Sequence, residues 1–180
     1  MCRYIRSRLD ANLPVVSVST NVSRVHLYAI DEIISKIKSL IDKYKIPPQY
    51  LEFELTETSF TDKVDDTIRL MSKLRGLGVK VSMDDFGSGY SSLNVLTKLP
   101  LDVLKIDKEF LRDFETDSEE KIVIPSVIAM AKKLNLEVVC EGVETLEQVE
   151  FLREINCDYA QGYYYSKPIP QEDFNKMLEG

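Results

Sequence analysis

Residues 79–92 read VKVSMDDFGSGYSS, a short apolar strand that runs into two adjacent aspartates and then a turn with glycine at 87 and 89. Val79–Met83 carries the strand. Gly87 and Gly89 permit the positive-φ geometry of a tight turn, and Ser91-Ser92 opens the helix that follows. Asp84 and Asp85 set two like charges where the strand ends, and such a pair asks for a cation beside it. An acidic surface turn capping a helix would explain an isolated DD-x-G equally well. The rest of the chain decides between the two.

The same unit, strand then helix, recurs on both sides of this stretch. Strands are expected at Val15–Thr20, Leu51–Thr56, Val79–Met83, Val103–Ile106, Val138–Cys140 and, more weakly, Tyr159–Gln161. Helices are expected near Ile30–Tyr44, Val64–Leu77, Ser91–Leu99, Glu119–Leu134, Leu146–Ile155 and Gln171–Leu178, with the tail of a further helix over Met1–Ala11. Ile33, Ile34, Ile37, Leu40 and Ile41 form a helical stripe, and Pro47-Pro48, Gly76, Gly78, Pro100 and Pro168 mark joints. Strands alternating with helices imply a parallel α/β sheet, either open and doubly wound or a (β/α) barrel. No glycine-rich fingerprint follows the first strand, which disfavours a dinucleotide-binding open sheet.

The barrel is favoured by where the polar residues fall. Asn21 follows the first strand, Glu54 and Glu57 end the second, and Asp84-Asp85 the third. Lys105 and Asp107 end the fourth, Glu141 and Glu144 the fifth, and Gln161 the sixth. Barrel enzymes of this kind build their sites at that C-terminal face. Alternation agrees: Glu52, Glu54 and Thr56 share one face of LEFELT, while Lys105 and Asp107 face inward. Six strands fall short of a closed eight-stranded barrel, which needs at least ~200 residues. The fold class is therefore an incomplete TIM-type (β/α) barrel of about six βα units, one domain over residues 1–180.

At 180 residues, 44% hydrophobic and 29% charged, the chain has the composition of a globular domain. With 23 basic against 30 acidic residues, net −7, it shows no basic face for long nucleic acid. No apolar run approaches the ~20 residues that span a bilayer, and no signal sequence is visible, so no membrane contact and a cytoplasmic location are expected. Cys2, Cys140 and Cys157 are too few and too scattered for a zinc knuckle, and His26, the only histidine, is expected to be structural.

Asn21, Glu54, Asp84 and Asp85 are oxygen donors at neighbouring strand ends, the set that suits Mg²⁺ or Mn²⁺. Two such ions ~3.5–4 Å apart would activate a water and neutralise a phosphate, with Asp84 or Asp85 as the bridge. Lys105 could balance charge, contact a water or phosphate, or act as a Schiff-base nucleophile; the last needs a depressed pKa that surrounding carboxylates oppose. Glu141 could be a ligand or a base, and Gln161 an orienting hydrogen-bonding group.

NVS at 21–23, ELTE at 54–57, DDFGSGYSSL at 84–93, LPLDVLKID at 99–107, CEGVET at 140–145 and QGYYYSKPIP at 161–170 resemble the successive motifs of the EAL domain family. The resemblance runs in order from about residue 12 to the C-terminus. It implies a modified (β/α)₈ barrel that uses two Mg²⁺ or Mn²⁺ ions to hydrolyse cyclic di-GMP to linear pGpG, making cyclic di-GMP the expected partner. By motif, Asn21, Glu54, Asp84, Asp85 and Glu141 resemble the metal-site residues, with Lys105, Glu141 and Asp85 catalytic. Lys105 resembles the lysine that holds the attacking water. Glu57 resembles the glutamate that pins the loop after the aspartates, and Glu144 and Gln161 resemble residues supporting or walling the site. Ser88 replaces the family's usual threonine and keeps the hydroxyl. The Glu-x-Leu strand that names the family, and supplies one metal ligand, is not found before Asn21. The expectation is a domain lacking its first strand and helix, comprising the C-terminal three-quarters of the family domain. Alone it would be weakly active or inactive, and it would pair its exposed sheet edges in a homodimer or oligomer. The alternative is a non-catalytic cyclic di-GMP-binding, regulatory or dimerisation module.

Overall fold

The computed structural model describes residues 1–57, 63–87, 96–112 and 120–180. Six strands form one sheet in sequence order: β1 (Val18–Asn21), β2 (Leu51–Thr56), β3 (Lys80–Phe86), β4 (Val103–Ile106), β5 (Glu137–Cys140) and β6 (Tyr159–Ala160). Every neighbouring pair is parallel. The helices are α1 (Cys2–Asp10), α2 (Ile30–Tyr44), α3 (Val64–Gly76), α4 (Glu109–Arg112), α5 (Glu120–Lys133), α6 (Leu146–Glu154) and α7 (Gln171–Glu179). The helix expected over Ser91–Leu99 falls mostly outside the described residues, as do Ser88 and Gly89. Among the described residues no helix is long and apolar enough to cross a membrane.

Strand parity sorts the side chains onto two faces. Leu51, Leu55, Val81, Met83, Leu104, Ile106, Val138 and Cys140 are buried on the outer face. They form one core with Ile37 of α2, Leu70 and Leu74 of α3, Ile124 and Ile128 of α5, and Leu152 of α6. Burying such a side chain contributes about 1.5–3 kcal/mol, so this layer fixes the sheet and leaves the opposite parity free for polar groups. The inner face carries Glu52, Lys80, Val103, Glu137 and Val139, which line a groove of about 640 Å³ together with Val16 and Ser17 before β1 and Tyr159 and Gln161 at β6. Residues from both ends of the strand order share that groove, so the sheet is curled into an incomplete barrel.

Two boundaries differ from expectation, each for a physical reason. β1 begins at Val18, not Val15, because its one neighbour begins at Leu51 and the Pro47-Pro48 segment before that offers no ladder. β3 continues through the aspartate pair to Phe86. Its pairing with β4 shifts register between Met83 and Phe86, and Asp85 takes a left-handed φ of 58°.

Candidate active site

Consecutive residues of a regular strand face opposite ways, so two neighbouring aspartates cannot both point inward without a break in register. The bulge at Asp84-Asp85 supplies that break, and aspartate is among the few residues that accept the left-handed conformation. Oxygens of Asp84, Asp85 and Glu141 consequently lie within 4.8 Å of one another. Phe86 returns outward and is buried, paired with Ile106.

Lys105, buried on β4, sits at the centre. Its Nζ lies 2.6 Å from Glu141 Oε1, 2.9 Å from Glu54 Oε1 and 3.1 Å from Asp84 Oδ1. Burial alone would favour the neutral amine, but the hydrogen bonds and charges of Glu141 and Glu54 outweigh it and hold the ammonium above the usual lysine range. A Schiff-base role, which requires a free amine near neutral pH, does not suit this lysine. Burial raises the Glu141 carboxyl despite its bond to Lys105, with Asp84 and Glu54 adding to the effect. Asp85 is raised by burial and then by the charges of Asp84 and Asp107.

Asp107 was expected to face inward at the end of the fourth strand, with no role assigned to it. It is buried, its Oδ1 accepts the Glu109 N–H at 2.8 Å, and its carboxyl hydrogen-bonds with Asp85. Its two-residue spacing from Lys105 was the available signal. Glu54, Asp84 and Glu141 thus surround one ammonium, with Asp85 beside Asp84 and Glu141 and Asp107 beside Asp85. An all-oxygen, strongly negative cluster of this kind fits a hard divalent cation.

The remaining expected residues are placed around this centre. Glu57, 2% exposed, accepts the Gly87 N–H at 2.8 Å and so ties the end of β2 to the turn after the aspartates. A side chain at Gly87, where φ is +97°, would also overlap the Phe110 ring. Asn21 is exposed and stands beside Glu54 in register. Gln161 is exposed at the other edge, its N–H on the Cys140 carbonyl and its own carbonyl on the Val143 N–H. Glu144 is exposed, and its backbone N–H bonds Gln148 Oε1 beside the cap of α6. His26 lies half-buried in the short 3₁₀ helix Arg24–Tyr28, which follows β1.

The chain is 40% identical over 177 residues to the cyclic di-GMP phosphodiesterase NbdA of Pseudomonas aeruginosa, covering 98% of this chain and 22% of NbdA. It spans between 20% and 37% of the length of the curated relatives it matches. The structure of the PaMucR phosphodiesterase in complex with c-di-GMP superposes with a TM-score of 0.85 at 32% identity, over 96% of this chain and 75% of that one. The manganese/cy-diGMP complex of Klebsiella pneumoniae BlrP1 gives a TM-score of 0.81 at 28% identity, over 93% of this chain and 43% of that one. The sequence model of the EAL domain matches residues 1–168. The chain belongs to the EAL domain family.

Proposed function

We propose that this domain binds cyclic di-GMP at the C-terminal ends of its strands and hydrolyses one phosphodiester bond, giving linear pGpG. The observation that carries the reading is the carboxylate cluster in which Glu54, Asp84 and Glu141 meet the Lys105 ammonium and Asp85 stands beside Asp84 and Glu141. Support comes from the phosphodiesterase name of NbdA and the bound nucleotide in the PaMucR and BlrP1 structures. Asn21, Glu54, Asp84, Asp85 and Glu141 would hold two ions, Mg²⁺ or Mn²⁺. When bound, these would lower the pKa of a water and neutralise phosphate charge.

The chain's own groups supply the rest. Lys105 stays protonated and donates hydrogen bonds to the attacking water and the phosphate oxygens. Glu141 or Asp85, each with a raised pKa, accepts the water's proton. Glu57 fixes the turn that presents the aspartates, Gln161 orients the nucleotide from the β6 side, and Glu144 walls the entrance. Hydrolysis of cyclic di-GMP with Mn²⁺, lost in Asp84→Asn, tests this; absence of turnover in the unmodified domain refutes it.

A non-catalytic binding module is the second reading. It is favoured because Lys105 itself occupies Glu54, Asp84 and Glu141, while Asn21 and Gln161 lie exposed at sheet edges. Calorimetry showing nucleotide binding without turnover would select it. The unpaired edges of β1 and β6 are suited to pairing with a second copy in a homodimer or edge-paired oligomer, which light scattering would detect. On either reading residues 1–180 act as one domain, on the cytoplasmic side where a second messenger is turned over.

A further inference from the structure

We infer that the contact between α1 and α7, built on Arg8, fastens the open side of the curled sheet and thereby sets the separation of Asn21 from Gln161. Arg8, Tyr4, Asn175 and Glu179 are then positioning residues for the site. The inference relies on the proposed function only for what the site binds.

Among the described residues β1 pairs with β2 and β6 with β5, and no ladder joins the two edges. The groove lies between them, with Val16 and Ser17 on one bank and Tyr159, Gln161, Tyr165 and Ser166 on the other. Outside the sheet the two sides do meet. Arg8 is 4% exposed; its Nε donates to the Pro14 carbonyl at 2.7 Å, on the lead into β1, and its Nη1 to Glu179 Oε1 at 3.0 Å on α7. One guanidinium therefore holds the entry to β1 and the helix that follows β6. Four residues earlier on each helix, the Tyr4 hydroxyl donates to Asn175 Oδ1 at 2.7 Å. The matched spacing puts both contacts on one face of each helix.

The geometry of the pair makes it more than a surface ion pair. A buried guanidinium that loses its carboxylate is left uncompensated, so the Arg8 contact resists opening. No residue of α7 is fully buried, and its Phe174 and Leu178 are only half-buried, so the two side-chain bonds to α1 are a large part of what holds it. The Ser166–Pro170 link from β6 is exposed throughout. Release of α7 would free the β6 side while the outer-face core stays packed.

The test measures the gap directly. Ser17→Cys and Ser166→Cys carry spin labels in a Cys2→Ser, Cys157→Ser background, and the distance distribution is compared with that of Asn175→Ala/Glu179→Ala. Both altered residues are on the outer partner helix, so the core is left intact; Arg8→Met serves as a second variant. The expected result is a broader, longer distribution, with Mn²⁺ affinity by calorimetry about tenfold weaker, the loss typical of disturbing groups behind a metal ligand. The urea midpoint of the core should stay near that of the parent. An unchanged distribution overturns the inference, as does a changed one with unchanged Mn²⁺ affinity. If the parent itself binds no Mn²⁺, the reading of the site fails, and the distance measurement alone decides the fastener.

Discussion

Replacing Lys105 with methionine keeps most of the length of the side chain and deletes its charge, leaving Glu54, Asp84 and Glu141 facing one another in a largely buried space. At contacts of 2.6–3.1 Å and an effective dielectric of ~20, each attraction is worth about 5–6 kcal/mol before costs. Desolvation and carboxylate repulsion offset much of this, and breaking a buried pair by removing one partner costs about 3–5 kcal/mol net. Lys105→Met should therefore lose about 3–5 kcal/mol of unfolding free energy in metal-free buffer at neutral pH. The control is Lys80→Met. Lys80 pairs with Glu137 at 2.7 Å, but both are over a third exposed, so its loss should cost no more than ~1 kcal/mol. The chain has no tryptophan, so urea unfolding is followed by far-UV circular dichroism. Saturating Mn²⁺ should stabilise Lys105→Met more than the parent, because the deleted ammonium no longer competes for the same oxygens. If the two lysine variants fall within 1 kcal/mol of each other without metal, the central role given to Lys105 is wrong.

The metal-free domain should become more stable as pH falls from neutral towards the ordinary carboxylate range. Glu52, Asp85 and Glu141 are all raised, chiefly by burial, so the folded state takes up their protons at a pH where the unfolded chain is still ionised. That contribution is lost as pH rises through the folded values; thermal melts that fall steadily on acidification from pH 7 to 5 would contradict it. Gly162→Ala should cost about 3 kcal/mol, because its Cβ would overlap the backbone of Val143, which cannot rotate aside. Equal urea midpoints for Gly162→Ala and the parent would count against that packing. Glu57→Gln exchanges a charge-assisted hydrogen bond to Gly87 for a neutral one and should cost about 1 kcal/mol. It should also weaken Mn²⁺ binding about tenfold if the turn it ties positions the aspartates; titration calorimetry with unchanged affinity would argue that it does not.

The barrel-like order was legible because each strand announces itself twice, by apolar residues on one parity and by a polar group at its C-terminal end. Glu54, Lys105 and Glu141 could be aligned from parity alone, and the structure brings them into contact. The bulge at Asp84-Asp85 was not legible. A strand that ends before the pair and one that runs through it with a register shift have the same local sequence, and only the ladder with β4 separates them. The partnership of Asp107 with Asp85 depends on that same bulge. Glu144 shows what a motif position leaves open: its backbone N–H joins the cap of α6, while its exposed side chain makes no contact among the described residues that parity could have foretold. The extent of β1 was set by its neighbour's first residue, which no reading of Val15–Thr20 alone reveals.

Tyr4 meets Asn175 and Arg8 meets Glu179 across 171 residues of sequence. Contacts of that span carry the largest loop-closure cost in the chain and gain nothing until the intervening layers are in place. On a ribosome, β1 to β5 can pair in the order they emerge, yet the two sides cannot be joined before Gln171–Glu179 has left the exit tunnel. The fold therefore closes on its last helix, and a nascent chain whose Gln171–Glu179 is still inside the tunnel would hold paired strands with the groove unfastened.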